Sequence, residues 1–225
     1  MAEELGKIEK PSVEEFKGGR KLFFVPLILS GKDLPLEFVV KVDNFWDEAE
    51  SHISNLESKL GPVNRIYHEL IPESGEEGLK LVKELNVGSY NLVKNRVEKG
   101  ASLEATEDNE ILTELMDWSR CLSLGLQNKN VFSKIYNFYT EANNKRNESI
   151  TKKLNESLKE NETGLLIMAE GHHIQFPADI KVFYVSPPAL DEIKRWLRDY
   201  EMKAREAQAK EASEPEREPE KPDMP

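Results

Sequence analysis

Two adjacent histidines, His172-His173, close the apolar run Leu165-Leu166-Ile167-Met168-Ala169-Glu170-Gly171, and a second run, Ile180-Lys181-Val182-Phe183-Tyr184-Val185, follows them. An imidazole titrates near neutrality, so a histidine here offers a general base or a metal ligand. Open α/β sheets bind ligands at the carboxyl ends of their strands, and this pair stands where such a strand ends. Neighbouring strand residues face opposite ways, so one of the two enters a given pocket unless Gly171 lets the backbone turn. His68-Glu69 close an earlier apolar run, residues 63–71, in the same manner. If the two runs are parallel neighbours, His68, Glu69, Glu170 and His172 emerge on one rim. Glu69, His68 or Glu170 would then join His172 in a metal reading. Two neighbouring histidines with no second spaced histidine or cysteine form a poor metal set. The plain alternative is a histidine that caps a loop, and ordinary polar termination of a strand.

Arg146 supplies the charge that such a rim lacks. It lies seven residues after Tyr139 and four before Ile150, on the apolar stripe of a long helix predicted over residues 130–159. A guanidinium facing a core requires a counter-charge, because an unpaired buried cation costs several kcal/mol. Glu69 and Glu170 are the candidate partners. The alternative is a small rotation of the helix that lets Arg146 reach water. His172, Glu69 and Arg146 form the candidate catalytic set, with His172 as base and Arg146 holding an anion. His68, Glu170 and His173 are the candidate ligand-binding residues.

Three segments, Ile66-Tyr67-His68-Glu69-Leu70, the helix with Arg146, and Met168-Ala169-Glu170-Gly171-His172, resemble the TraB/PrgY, ChaN and erythromycin-esterase-like group. There a strand ends in a glutamate, a helical layer follows, a helix carries an arginine and a later strand ends in a Gly-His step. The resemblance spans about residues 63–185 and implies that Glu69, Arg146 and His172 occupy the group's pocket. The group's first signature, a Gly-x-x-His step after the first strand, is missing. Phe24-Val25-Pro26-Leu27-Ile28 stands in its place, which puts hydrolytic or metal-dependent activity in question.

The elements that must position these residues follow from periodicity. Residues 21–29 form an almost wholly apolar strand, in which Pro26 suits an edge or a bulge. Ser30-Gly31-Lys32-Asp33 is a turn. Asn44 caps a helix carrying Phe45, Trp46, Ala49, Ile53, Leu56 and Leu60 at helical spacing, which stops at Gly61-Pro62. Helices are predicted near 76–85 and 92–97, the latter ended by Gly100. A short strand at 103–106 precedes a helix over 111–126, capped by Thr106 or Asp108, with Leu112, Leu115, Met116, Trp118, Leu122 and Leu126 facing inward. The last helix starts near Pro187-Pro188, where proline suits the first turn. The order is strand, strand, helix, strand, helices, strand, strand, helix. It predicts an α/β fold: a four- or five-stranded sheet with a large inserted helical layer and a long amphipathic helix.

Composition excludes several classes. The chain has 225 residues and a formal charge of −11, which repels nucleic acid unless a basic stripe compensates. The best stripe, Lys145-Arg146 with Lys152-Lys153, is interleaved with Glu141, Glu148 and Glu156, so nucleic-acid binding is disfavoured. The single cysteine, Cys121, excludes a disulfide framework and a cysteine zinc site, and is predicted as a buried, inert thiol. No apolar run reaches the ~20 residues of a membrane span, and Met1-Ala2-Glu3-Glu4 opens no secretory leader, so a cytoplasmic protein without membrane association is expected. Gly75 and Gly78 form no phosphate loop, Gly-x-Ser-x-Gly is absent, and no cofactor is implied. Residues 1–19 are predicted as a loose arm, 20–202 as one domain, and 203–225 as a charged Pro/Glu-rich tail whose first part extends the last helix. Two functions remain: a strand-end pocket for a small polar or anionic ligand, kept as a degenerate hydrolase-like site, or a non-catalytic scaffold that forms a homodimer or docks a partner through the long helix.

Overall fold

Seven successive buried residues, Arg20–Pro26, form β1. A strand covered on both faces reads as a continuous apolar run, which is what the sequence displays there. The computed structural model describes Phe16, residues 18–29 and residues 34–213, the last seven as backbone. The elements after β1 are α1 (Leu36–Leu60), β2 (Arg65–His68), α2 (Gly75–Leu85), α3 (Val87–Glu98), β3 (Ser102–Leu103), α4 (Asn109–Ser123), α5 (Lys129–Ser157), β4 (Thr163–Met168), β5 (Ile180–Tyr184) and α6 (Pro188–Ser213). The five strands are parallel and ordered β3-β2-β4-β1-β5. The α/β fold with an inserted helical layer is thus present.

Alternation along the strands divides the core in two. Phe23, Val25, Ile66, Leu165 and Ile167 meet residues of α1, α3 and α6 on one face. Leu22, Phe24, Tyr67, Leu166 and Met168 meet Ile150 and Leu154 of α5 and Ile174 of the β4–β5 loop on the other. That loop explains the second face. β4 and β5 flank β1 and run parallel to it, so the chain leaving the end of β4 must return to the start of β5. Residues 169–179 make this return without a helix, across the sheet beside α5, with His172 near its start and Asp179 at its end.

Several expectations change. Among the described residues no second strand precedes α1. The helix begins at Leu36, just after Pro35, because Phe38, Val42, Phe45, Trp46 and Ala49 form one buried helical stripe. β1 is an interior strand, yet Pro26 is its last residue and lies past its last β5 pair, Phe24↔Tyr184, so the missing N–H breaks no bond to that strand. On α4, Leu112 and Leu115 are buried and Asp108 caps the first turn. Met116 is exposed, and Trp118, Cys121, Leu122 and Leu126 are only half-buried. α4 packs chiefly on α5, and a two-helix hairpin covers one side of each helix. α6 runs through residue 203 to Ser213. The turn at residues 30–33, nearly all of the N-terminal arm and the end of the tail lie outside the described residues.

Candidate functional site

Arg146 is drawn inward by two acids that different segments deliver. Its Nε donates to both carboxylate oxygens of Glu107, at 3.1 and 2.9 Å. Its Nη2 donates to Glu69 Oε1 at 3.0 Å and also contacts Glu107. Glu107 is fully buried, whereas Glu69 and Arg146 retain slight exposure at 13% and 11%. Burial opposes the charge on Arg146. Glu107, and then Glu69, outweigh that penalty and hold the guanidinium pKa above its ordinary value.

Local backbone geometry sets the acids. Leu70 adopts a left-handed conformation, φ 66°, immediately after Glu69, a turn that a leucine makes only when its surroundings impose it. Its N–H donates to Glu107 Oε1 at 3.1 Å. Ala169 N–H, just past β4, donates to Glu69 Oε2 at 2.7 Å. Lys153, two turns along α5 from Arg146, donates to the Glu107 carbonyl at 2.6 Å. Two carboxylates therefore face one guanidinium, and the Lys153 ammonium sits on the adjoining backbone. Arg146 Nη1 has no partner among the described residues.

The structure brings Glu69 to Arg146, as the sequence predicts, and adds Glu107. Glu170 does not join them. It points to Lys194 of α6, 2.7 Å away on the surface. His68 also stands elsewhere, because strand alternation turns it to the opposite face from Tyr67. There its Nε2 meets Ser89 Oγ of α3 at 3.0 Å and its Nδ1 meets the Glu69 carbonyl at 2.7 Å. A carbonyl only accepts, so neutral His68 donates from Nδ1 and Ser89 donates to Nε2. Burial lowers the His68 pKa to about 4, against a smaller upward pull from the Glu69 carbonyl.

His172 lies on the Arg146 side of the sheet, tilted against Phe24 at 5.0 Å and edge-on to Phe176 at 5.6 Å. Burial lowers its pKa, Glu69 raises it and His173 lowers it further. The Ile174 N–H donates to Nδ1 at 3.2 Å, so the neutral ring carries its proton on Nε2. In that form Nδ1 is engaged by Ile174 and Nε2 is the donor. His173, exposed, faces a cleft between the loop and α5. Among the described residues no three histidine, cysteine or acidic side chains are placed to hold a metal ion, and no helix is long and apolar enough to cross a membrane.

Glu107 is the partner of Arg146 that periodicity misses. It precedes the α4 cap, Asp108, in an irregular segment, and no spacing in the sequence distinguishes it from an exposed acid. No family model, curated protein or solved structure matches the chain.

Proposed function

We propose that this chain binds a small polar or anionic ligand at the carboxyl rim of β2 and β4, through Arg146 Nη1 and His172 Nε2–H. The observation that carries this reading is the guanidinium itself. Two carboxylates fix its position through Nε and Nη2, while Nη1 stays uncommitted. Both free donors call for an acceptor oxygen on the ligand, such as a carboxylate, phosphoryl or carbonyl group. Phe24, from the segment where the resembled group has its first histidine, rests on His172 as an apolar ring. That supports a binding site or a degenerate hydrolase-like site over a working hydrolase. The test is a thermal-shift panel of small carboxylates, phosphate esters and amides against wild type, His172→Ala and Arg146→Lys. A ligand at about 100 times its Kd stabilises by about 2.7 kcal/mol, and the shift is expected to vanish in both variants. A panel without any shift, or a shift both variants retain, sinks the reading.

A second reading, a scaffold that pairs with its own copy, is favoured by the outer half of the α4–α5 hairpin. Met116, Leu124, Val131, Phe132, Tyr136 and Phe138 are all 44–77% exposed there. Residues 111–140 carry Glu114 and Asp117 against Arg120, Lys129 and Lys134, in a chain of net charge −11. Two copies meet there without the repulsion that the rest of the surface imposes. Light scattering is expected to show a dimer that Phe132→Glu with Tyr136→Glu converts to monomer. A wild-type monomer at high concentration ends this reading.

A further inference from the structure

A cleft of about 600 Å³ lies on the second face of the sheet, between the flank of α5 and the returning β4–β5 loop. None of Glu69, Glu107 or Arg146 lines it, so it stands apart from the rim site and from the reading given there. Its volume falls within the range of small-molecule sites. α5 contributes Asn144, Asn147 and Thr151, and the loop contributes His173 and Gln175.

Asn147 is the informative residue. It is 91% buried, at 9% residual exposure, and it lines the cleft. Among the described residues its side-chain amide has no hydrogen-bond partner. The nearest hydroxyl, Thr151 Oγ1, bonds the Asn147 backbone carbonyl instead, at 2.8 Å. An amide without a protein partner on the cleft lining is open to a bound polar species. Farther along the same helix Asn155 also lines the cleft; its Oδ1 accepts from Arg20 Nη2 at 2.8 Å, and Arg20 is held by Asp179 at 2.7 Å. The loop end and α5 are thereby fixed to each other beside the cleft.

We infer that this cleft binds a neutral, polyhydroxylated ligand of the sugar class. Each planar amide presents a donor and an acceptor side by side, which matches adjacent hydroxyls that each give and take a hydrogen bond. Asn147, Asn144 and Gln175 supply three such amides. The two charged residues of the lining, Glu148 and Lys152, are of opposite sign, so the cleft carries no net field to attract a phosphate or a metal ion. Arg20, which bonds the cleft residue Asn155, is already occupied by Asp179.

The experiment is a titration of the full chain, uniformly labelled with ¹⁵N, with glucose, galactose and maltose in turn. The side-chain amide signals of Asn147 and Asn144 are expected to shift and saturate with at least one sugar. Asn147→Leu is expected to weaken that sugar by about ten-fold or more, the loss of one or two hydrogen bonds. Should Asn147→Leu fail to fold, the exposed pair Asn144→Ala with Gln175→Ala replaces it, with the same loss expected. Absence of saturable shifts with all three sugars overturns the inference. Shifts at the Ala169 and Leu70 backbone amides without any at Asn147 overturn it too, by moving the sugar to the rim.

Discussion

Arg146→Met lowers the free energy of unfolding by about 3–5 kcal/mol, the loss that follows when one partner of a buried ion pair is removed. Urea denaturation measures it. The size follows from Glu107, which is fully buried and keeps, among the described residues, the Leu70 N–H at 3.1 Å as the donor to its carboxylate once the guanidinium is gone. Glu69 is slightly exposed and reaches water more easily, so Glu107 dominates the loss. The double variant Arg146→Met, Glu107→Gln is expected to recover much of the stability, because it removes both charges and leaves an amide to accept from Leu70. Neighbours that share a network couple in this non-additive way. A single-variant loss below about 1 kcal/mol would mean that the pair contributes little, at the level of an exposed salt bridge.

Acid is the second large lever. The unfolded chain takes up a proton at His68 near the ordinary 6.5, and the folded chain only near 4. Between those values the unfolded state binds more protons, so stability falls as pH falls across the window and is full above it. The whole window amounts to roughly 3 kcal/mol, at about 1.4 kcal/mol per pH unit. His172, whose pKa is also lowered by burial, adds in the same direction. Denaturation from pH 7 to 4 is expected to show a flatter curve for His68→Gln than for wild type. Superimposable curves would place the acid sensitivity elsewhere. At His68 the proton has a neighbour to work through. Ser89 Oγ lies 3.1 Å from the Asn86 carbonyl as well as 3.0 Å from Nε2, so it can turn its hydroxyl when the ring is charged.

Arg146 was legible in the sequence because a charge on an apolar stripe breaks a rule that helix geometry makes strict. Its partner Glu69 was legible because it follows a strand directly. Glu107 was not, since the burial of an acid in an irregular segment depends on what folds over it, here the turn at Leu70 and the α5 face. Glu170 looked equivalent to Glu69 by position, yet it pairs with Lys194 of α6, a helix whose placement no local spacing specifies. His68 and Glu69 sit on adjacent positions and part to opposite faces. Strand alternation predicts that separation, but which face holds the arginine is a tertiary fact. The β-branched residues Val39, Val40 and Val42 favour a strand by propensity, and the stripe from Phe38 to Ala49 prevails because it buries a whole helix face. The sheet itself was readable from its apolar runs. The return of residues 169–179 without a helix was not, because it follows from strand order and not from composition.

The pairing of β1 with β4 sets a timetable for synthesis. Lys21 finds its neighbour Thr163 after 142 further positions have been added. At 5–20 residues per second, a ribosome needs on the order of ten seconds to make that stretch. Throughout it, the first and most apolar strand of the nascent chain has neither lateral neighbour, since both β4 and β5 are still to come. Newly made Leu22-Phe23-Phe24-Val25 is the segment a chaperone has most reason to hold, and the one most prone to aggregate if nothing does.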